Sequence, residues 1–172
     1  IQNGKYTVGD VNNNVFVQPD SANGVILGKK RIVYYYSDKV KIFDLNGNPQ
    51  KTFTGLHLKK SGHSLSETED SIKLSFDNTV QLINLATNTK KSMLFGEAGD
   101  FNEEGIFIGK KELYDFYDYT GKKLNPVGYY SVVNFSEGIC ATQLTSKFLP
   151  ELTDKNFRKI KSNNLSDILS KI

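Results

Sequence analysis

Two histidines, one cysteine and a run of carboxylates are the residues of this chain with the chemistry to ligate a metal, attack a bond or shuttle a proton. His57 and His63 share the stretch Leu56-His57-Leu58-Lys59-Lys60-Ser61-Gly62-His63. A structural zinc needs further Cys or His ligands at suitable spacing, and the chain has neither a second Cys nor a third His. Cys140 sits in the apolar run Gly138-Ile139-Cys140-Ala141, where a buried, inert thiol with a raised pKa is expected rather than a nucleophile. Gly96-Glu97-Ala98-Gly99 lacks the Lys and the strand-to-helix setting of a phosphate loop. These patterns predict a protein without a catalytic centre, metal site or cofactor.

The carboxylates are densest at Glu97, Asp100, Glu103 and Glu104, with Asp115 and Asp118 close behind, and no spacing singles out two of them as an acid and base. Ordinary solvated loops account for such a cluster. The sharper reading is an acidic face that meets a basic partner, with Tyr114, Tyr117 and Tyr119 supplying contact area, because Tyr is favoured at interface hot spots. Strand alternation turns half of those tyrosines toward the core. The partner-binding candidates are therefore Glu97, Asp100, Glu103, Glu104, Asp115, Tyr114 and Tyr117.

The elements that must position these residues are strands. Ile32, Tyr34 and Tyr36, then Val40 and Ile42, alternate with polar residues as half-buried strands do. Asn46-Gly47 can turn that chain back along Gln50-Lys51-Thr52-Phe53. A second hairpin reads Ile72-Lys73-Leu74-Ser75-Phe76, turn Asp77-Asn78, then residues 79–85. The phrase Gly24-Val25-Ile26-Leu27-Gly28-Lys29-Lys30 recurs as Gly105-Ile106-Phe107-Ile108-Gly109-Lys110-Lys111. Phe43-Asp44-Leu45, Ile83-Asn84-Leu85 and Tyr117-Asp118-Tyr119 form a second series, each an apolar-Asx-apolar triplet entering a polar turn. The Asx side chain is expected to bond nearby backbone where the strand ends. Such spacing is that of one small antiparallel sheet per repeat.

After Ser146 the apolar period lengthens. Thr153 or Asp154 is expected to cap a short helix carrying Phe157 and Ile160, and Asn164 a second carrying Leu165, Ile168, Leu169 and Ile172. The expected fold is all-β, with repeated antiparallel sheets in a small propeller-like or rolled-sandwich arrangement over residues 1–146, and C-terminal α-helices over 147–172 packed on it.

Net charge narrows the partners. Residues through 146 carry 16 basic and 16 acidic side chains, so the whole excess of +3 falls in the last segment. A nucleic-acid binder carries a basic field on its folded body, and none is expected here. No membrane-spanning run exists in the sequence. The start at Ile1 without Met implies that an N-terminal piece was removed, a signal peptide among the candidates.

Residues 101–142 resemble a WG-type repeat, a bacterial β-rich unit. The matching residues are Phe101-Asn102-Glu103-Glu104-Gly105-Ile106-Phe107, then Tyr117-Asp118-Tyr119-Thr120-Gly121-Lys122-Lys123, Pro126, Tyr130, Val133, and the restart Phe135-Ser136-Glu137-Gly138-Ile139. The Trp-Gly pair that names the repeat is absent, with Leu113-Tyr114 standing nearby. The resemblance implies a protein-interaction scaffold of bacterial surface, regulatory or toxin-associated proteins, and it transfers no functional residue. Two functions are expected from all this. One is a protein-binding module, in its most concrete form an immunity protein that blocks the active site of a basic toxin. The alternative is a carbohydrate- or surface-binding domain that stacks sugars on exposed Tyr34, Tyr35 or Tyr36.

Overall fold

Alternating β-branched and aromatic residues favour pleated strands, and the computed structural model of the chain describes residues 5–9, 12, 15–58, 63–133, 135 and 138–160 as an all-β protein. The strands are β1 (Tyr6–Gly9), β2 (Val15–Asp20), β3 (Gly24–Leu27), β4 (Arg31–Tyr35), β5 (Lys39–Asp44), β6 (Pro49–Thr54), β7 (Ser64–Glu67), β8 (Ser71–Phe76), β9 (Thr79–Asn84) and β10 (Thr89–Leu94). They continue with β11 (Glu97–Ala98), β12 (Phe107–Lys110), β13 (Tyr114–Tyr117), β14 (Ser131–Val132), β15 (Ile139–Gln143) and β16 (Glu151–Asp154). Among the described residues consecutive strands pair in five small sheets, β1-β2, β3-β4-β5-β6, β10-β9-β8-β7, β11-β12-β13 and β14-β15-β16. The chain divides into two units, residues 1–93 and 94–172.

In the first unit the hairpins predicted from the alternation are present: β5 returns along β6 after Asn46-Gly47, and β8 pairs with β9 across Asp77-Asn78. The expectation of half-buried strands is corrected, because all five residues of β4 are buried. Val33 and Tyr35 pack with Val40, Ile42 and Phe53 against Ile72, Leu74, Phe76 and Ile83 of the next sheet. Ile32 and Tyr34, on the opposite face, pack with Val17 and Ala22. A strand covered on both faces tolerates an apolar side chain at every position, so alternation of type no longer reports alternation of burial. Each large side chain buried in this way stabilises the fold by roughly 1.5–3 kcal/mol.

In the second unit Phe116 is the centre of the core, with ring centroids 6.2 Å from Tyr129, 5.0 Å from Phe135 and 5.2 Å from Phe157. Phe107, Tyr117 and Phe95 form a second aromatic group on the other face of β12 and β13. Gly109 admits it: a Cβ there would lie 2.5 Å from the Phe95 ring. The repeated phrase thus supplies the first strand of a hairpin in both copies, β3 before β4 and β12 before β13.

The C-terminal helices are not supported. No helix occurs among the described residues, and where Thr153 or Asp154 was expected to begin one, residues 151–154 are β16, paired with β15 at Cys140↔Thr153 and Thr142↔Glu151. The backbone of Phe157, with φ 59°, cannot lie in a right-handed helix. The helix expected from Asn164 lies outside the described residues.

Candidate functional site

One local device recurs along the chain. After β5, the Asp44 carboxylate accepts the backbone N–H groups of Asn46 and Asn48, both at 2.9 Å, while Gly47 N–H bonds back to the Asp44 carbonyl. Asp118 accepts Thr120 N–H at 2.8 Å and Lys122 N–H at 3.0 Å in the same way, with Gly121 at φ 74° closing the turn. Asn84 accepts Thr87 N–H at 2.8 Å. The backbone role expected of the Asx triplets is therefore the role observed. A further copy, read from the sequence as a helix start, is Asp154, whose carboxylate accepts Asn156 and Arg158 N–H groups at 2.9 Å.

Asn102 repeats the device ahead of β12. Its side-chain oxygen accepts Glu104 N–H at 3.0 Å and Ile106 N–H at 2.8 Å, and Gly105 takes the left-handed position at φ 75°. The turn holds Glu103 and Glu104 outward, both exposed. They line an open groove of about 620 Å³ whose other lining residues include Lys155 and Arg158. The Arg158 guanidinium forks onto Asp154, with Nε at 3.0 Å and Nη2 at 2.9 Å from Oδ2. The Arg158 backbone N–H, opposed by desolvation and joined by the Arg158 side chain and the Asn156 N–H, holds the Asp154 carboxyl below its usual range. The groove thus presents carboxylates and cations on hydrogen-bonded turns.

The other predicted residues are placed elsewhere. Glu97 is exposed on β11 and accepts the Tyr114 hydroxyl at 3.3 Å, and Lys110 Nζ stands 4.8 Å from the centre of the Tyr114 ring. Asp115 is paired with Lys123 at 2.8 Å and accepts Asn125 Nδ2 at 2.9 Å. Tyr117 is only 6% exposed and belongs to the core, where burial, with Asp115 adding to it, pushes its hydroxyl up from the usual pKa. Asp100 is exposed. The groove therefore gathers Glu103 and Glu104 from the predicted set and adds Asp154, Lys155 and Arg158. Those three were missed because their segment was read as helix; the signal that finds them is the fourth Asx at the repeat spacing.

The tyrosines proposed as sugar platforms require correction. Tyr34 is fully buried and Tyr35 is 8% exposed, since β4 is covered on both faces. Tyr36 is half-buried beside Lys39 and Lys41, and burial together with Asp20 pushes its hydroxyl up to about 12. Cys140 is buried as expected. Burial raises its thiol pKa, and its Sγ lies 3.0 Å from the Thr153 hydroxyl. His63 packs between the rings of Tyr35 and Phe76, at 4.3 and 4.6 Å, and His57 is exposed.

No known protein family and no curated protein matches the chain. Solved structures to which it is similar include Hsv2p of Kluyveromyces lactis, at 13% identity over 91% of this chain and 56% of that one, with a TM-score of 0.49. BamB of Moraxella catarrhalis matches at 12% identity over 80% of this chain and 48% of its own, with a TM-score of 0.39. The WD40 domain of Pan2 from Neurospora crassa matches at 12% identity over 86% and 54%, also with a TM-score of 0.39. The chain spans about half the length of these structures.

Proposed function

We propose that this chain is a non-enzymatic protein-binding module, and specifically an immunity-type protein that covers the active site of a basic toxin. The observation that carries the reading is the Asn102 turn, which holds Glu103 and Glu104 exposed at the rim of the groove on a backbone ordered before any partner arrives. Charges held in advance lose little freedom on binding and steer an oppositely charged partner into register. Lys155, which lines the same groove, supplies a cation for a carboxylate of the partner, while Arg158 is engaged by Asp154, so the contact is specific and not merely acidic. The resemblance of residues 101–142 to a WG-type repeat points to the same class.

The test is capture of partners from the native source, followed by binding measurements with the purified partner. A stoichiometric basic protein is expected. Its affinity should fall by about tenfold or more when Glu103→Lys and Glu104→Lys are combined, equivalent to about 1.4 kcal/mol. Recovery of glycans without a protein partner would sink the reading, and unchanged affinity of the double variant would remove Glu103 and Glu104 from the interface.

A further inference from the structure

Two Asn-Gly steps lie among the described residues, Asn23-Gly24 and Asn46-Gly47, and the fold holds them in opposite ways. A glycine has no Cβ to shield its amide nitrogen, which can therefore reach the side-chain amide of an asparagine placed just before it. At Asn23 that approach is blocked. Asn23 Nδ2 donates to the Ser37 hydroxyl at 3.1 Å, its backbone N–H bonds the Tyr35 carbonyl at 2.8 Å, and Gly24 is buried in β3 opposite Tyr35. A Cβ at Gly24 would meet the Tyr35 ring, so the backbone there has no room to turn. At Asn46 the side chain is exposed, and among the described residues no hydrogen bond holds it. Gly47 lies in the left-handed region at φ 84°, and its N–H meets the Asp44 carbonyl at 3.1 Å, the long end of the hydrogen-bond range. Asn48 of the same turn is excluded, because its Nδ2 is bonded to Asp44 at 2.8 Å and the nitrogen of Pro49 after it carries no proton.

We propose that Asn46 is a self-modification site, converted in the folded chain to aspartate and isoaspartate with water as the co-reactant. The Gly47 nitrogen gives its proton to solvent base and bonds to Cγ of Asn46, the Cγ–Nδ2 bond breaks, and the side-chain nitrogen takes up a proton and leaves as ammonia. Water then opens the resulting cyclic imide. Opening at Cγ gives aspartate; opening at the main-chain carbonyl gives isoaspartate, with the side-chain methylene now part of the backbone. Each product places a new carboxylate two residues from Asp44. Isoaspartate also lengthens the chain between the N–H groups of Asn46 and Asn48, both of which the Asp44 carboxylate accepts at 2.9 Å. Hairpin register depends on its turn, so the connection of β5 to β6 is the part that loosens.

Peptide mapping by mass spectrometry tests the proposal on the whole folded chain, held for weeks in mildly alkaline buffer. Trypsin cuts after Lys5, Lys29, Lys41 and Lys51, so a peptide spanning 42–51 reports Asn46 and one spanning 6–29 reports Asn23. Amide-to-acid conversion at Asn46 should run at least about tenfold faster than at Asn23. In urea both steps are released and their rates should converge. Asn46→Gln, whose longer side chain closes a less favourable ring, should stop conversion in the 42–51 peptide while the far-ultraviolet spectrum stays that of the parent. The isoaspartyl fraction, separated by ion exchange, should melt below the unaged chain. Equal rates at Asn23 and Asn46 in the folded chain overturn the proposal, as does an Asn46 that converts only in urea. An isoaspartyl fraction that melts with the parent overturns the loosening of the turn.

Discussion

Nη1 of Arg31 lies 3.5 Å from the carboxylate of Glu67, with both side chains more than nine-tenths buried. The same guanidinium donates to the carbonyl of Thr68 at 2.9 Å and to that of Glu69, while Lys30 N–H bonds Glu67 Oε1 at 2.5 Å. The start of β4 and the end of β7 are thereby clasped by two charged side chains largely shut off from water. Removing one partner leaves a buried charge without its counter-ion, which costs roughly 3–5 kcal/mol. Arg31→Met and Glu67→Leu should each destabilise by that order in urea titrations, and the double variant should lose far less than the sum. Additive losses would show that the two side chains are not coupled.

The Asx turns predict how the fold meets acid. The Asn48 side chain, then its backbone N–H, joined by those of Asn46 and Gly47 and outweighing desolvation, holds the Asp44 carboxyl below its usual range, as the Arg158 contacts do for Asp154. A carboxyl with a depressed folded pKa binds fewer protons folded than unfolded. Its stabilisation is therefore complete above about pH 4 and is lost as the pH falls through the lower folded value. Combining Asp44→Asn with Asp154→Asn keeps the acceptor oxygen that Asn84 already uses and removes the titration. Melting temperature followed between about pH 5 and 2 should fall less steeply for this variant than for the parent. An identical slope would refute the assignment.

Cys140 gives a third outcome. Burial, opposed by the Thr153 hydroxyl and reinforced by Asp154, raises its thiol pKa, and Cys140 is 2% exposed. A disulfide reagent near pH 8 should react slowly with the folded protein and rapidly after unfolding in urea. Equal rates would place the thiol at the surface.

Much of this architecture is legible along the chain. Ile72, Leu74 and Phe76 alternate with Ser71, Lys73 and Ser75 up to Asp77-Asn78, and the period of two suffices to specify the β8 and β9 hairpin. Asp44, Asn84 and Asp118 announce the repeat because an Asx turn is made by residues within four positions of one another. The site was less legible. Glu97, Glu103, Asp115 and Tyr117 lie close in sequence, yet the strand pleat sends Tyr117 into the core and the Asn102 turn carries Glu103 outward.

What the amino-acid order determined by itself is therefore the local part: the strands, their turns and the length of the repeating unit, since each depends on contacts between near neighbours. Asp154 marks where that reach ends. An Asp that bonds N–H groups two and four residues ahead satisfies a helix start and a strand-ending turn alike, so Thr153-Asp154 is ambiguous on its own. The pairing of Thr153 with Cys140 and the contacts of Phe157 with Phe116 and Phe135 decided for the strand, because distant partners bury the segment. In the same way only the stacking of sheets decided that Tyr34 and Tyr35 are core and that Glu103, Glu104, Lys155 and Arg158 face a common groove.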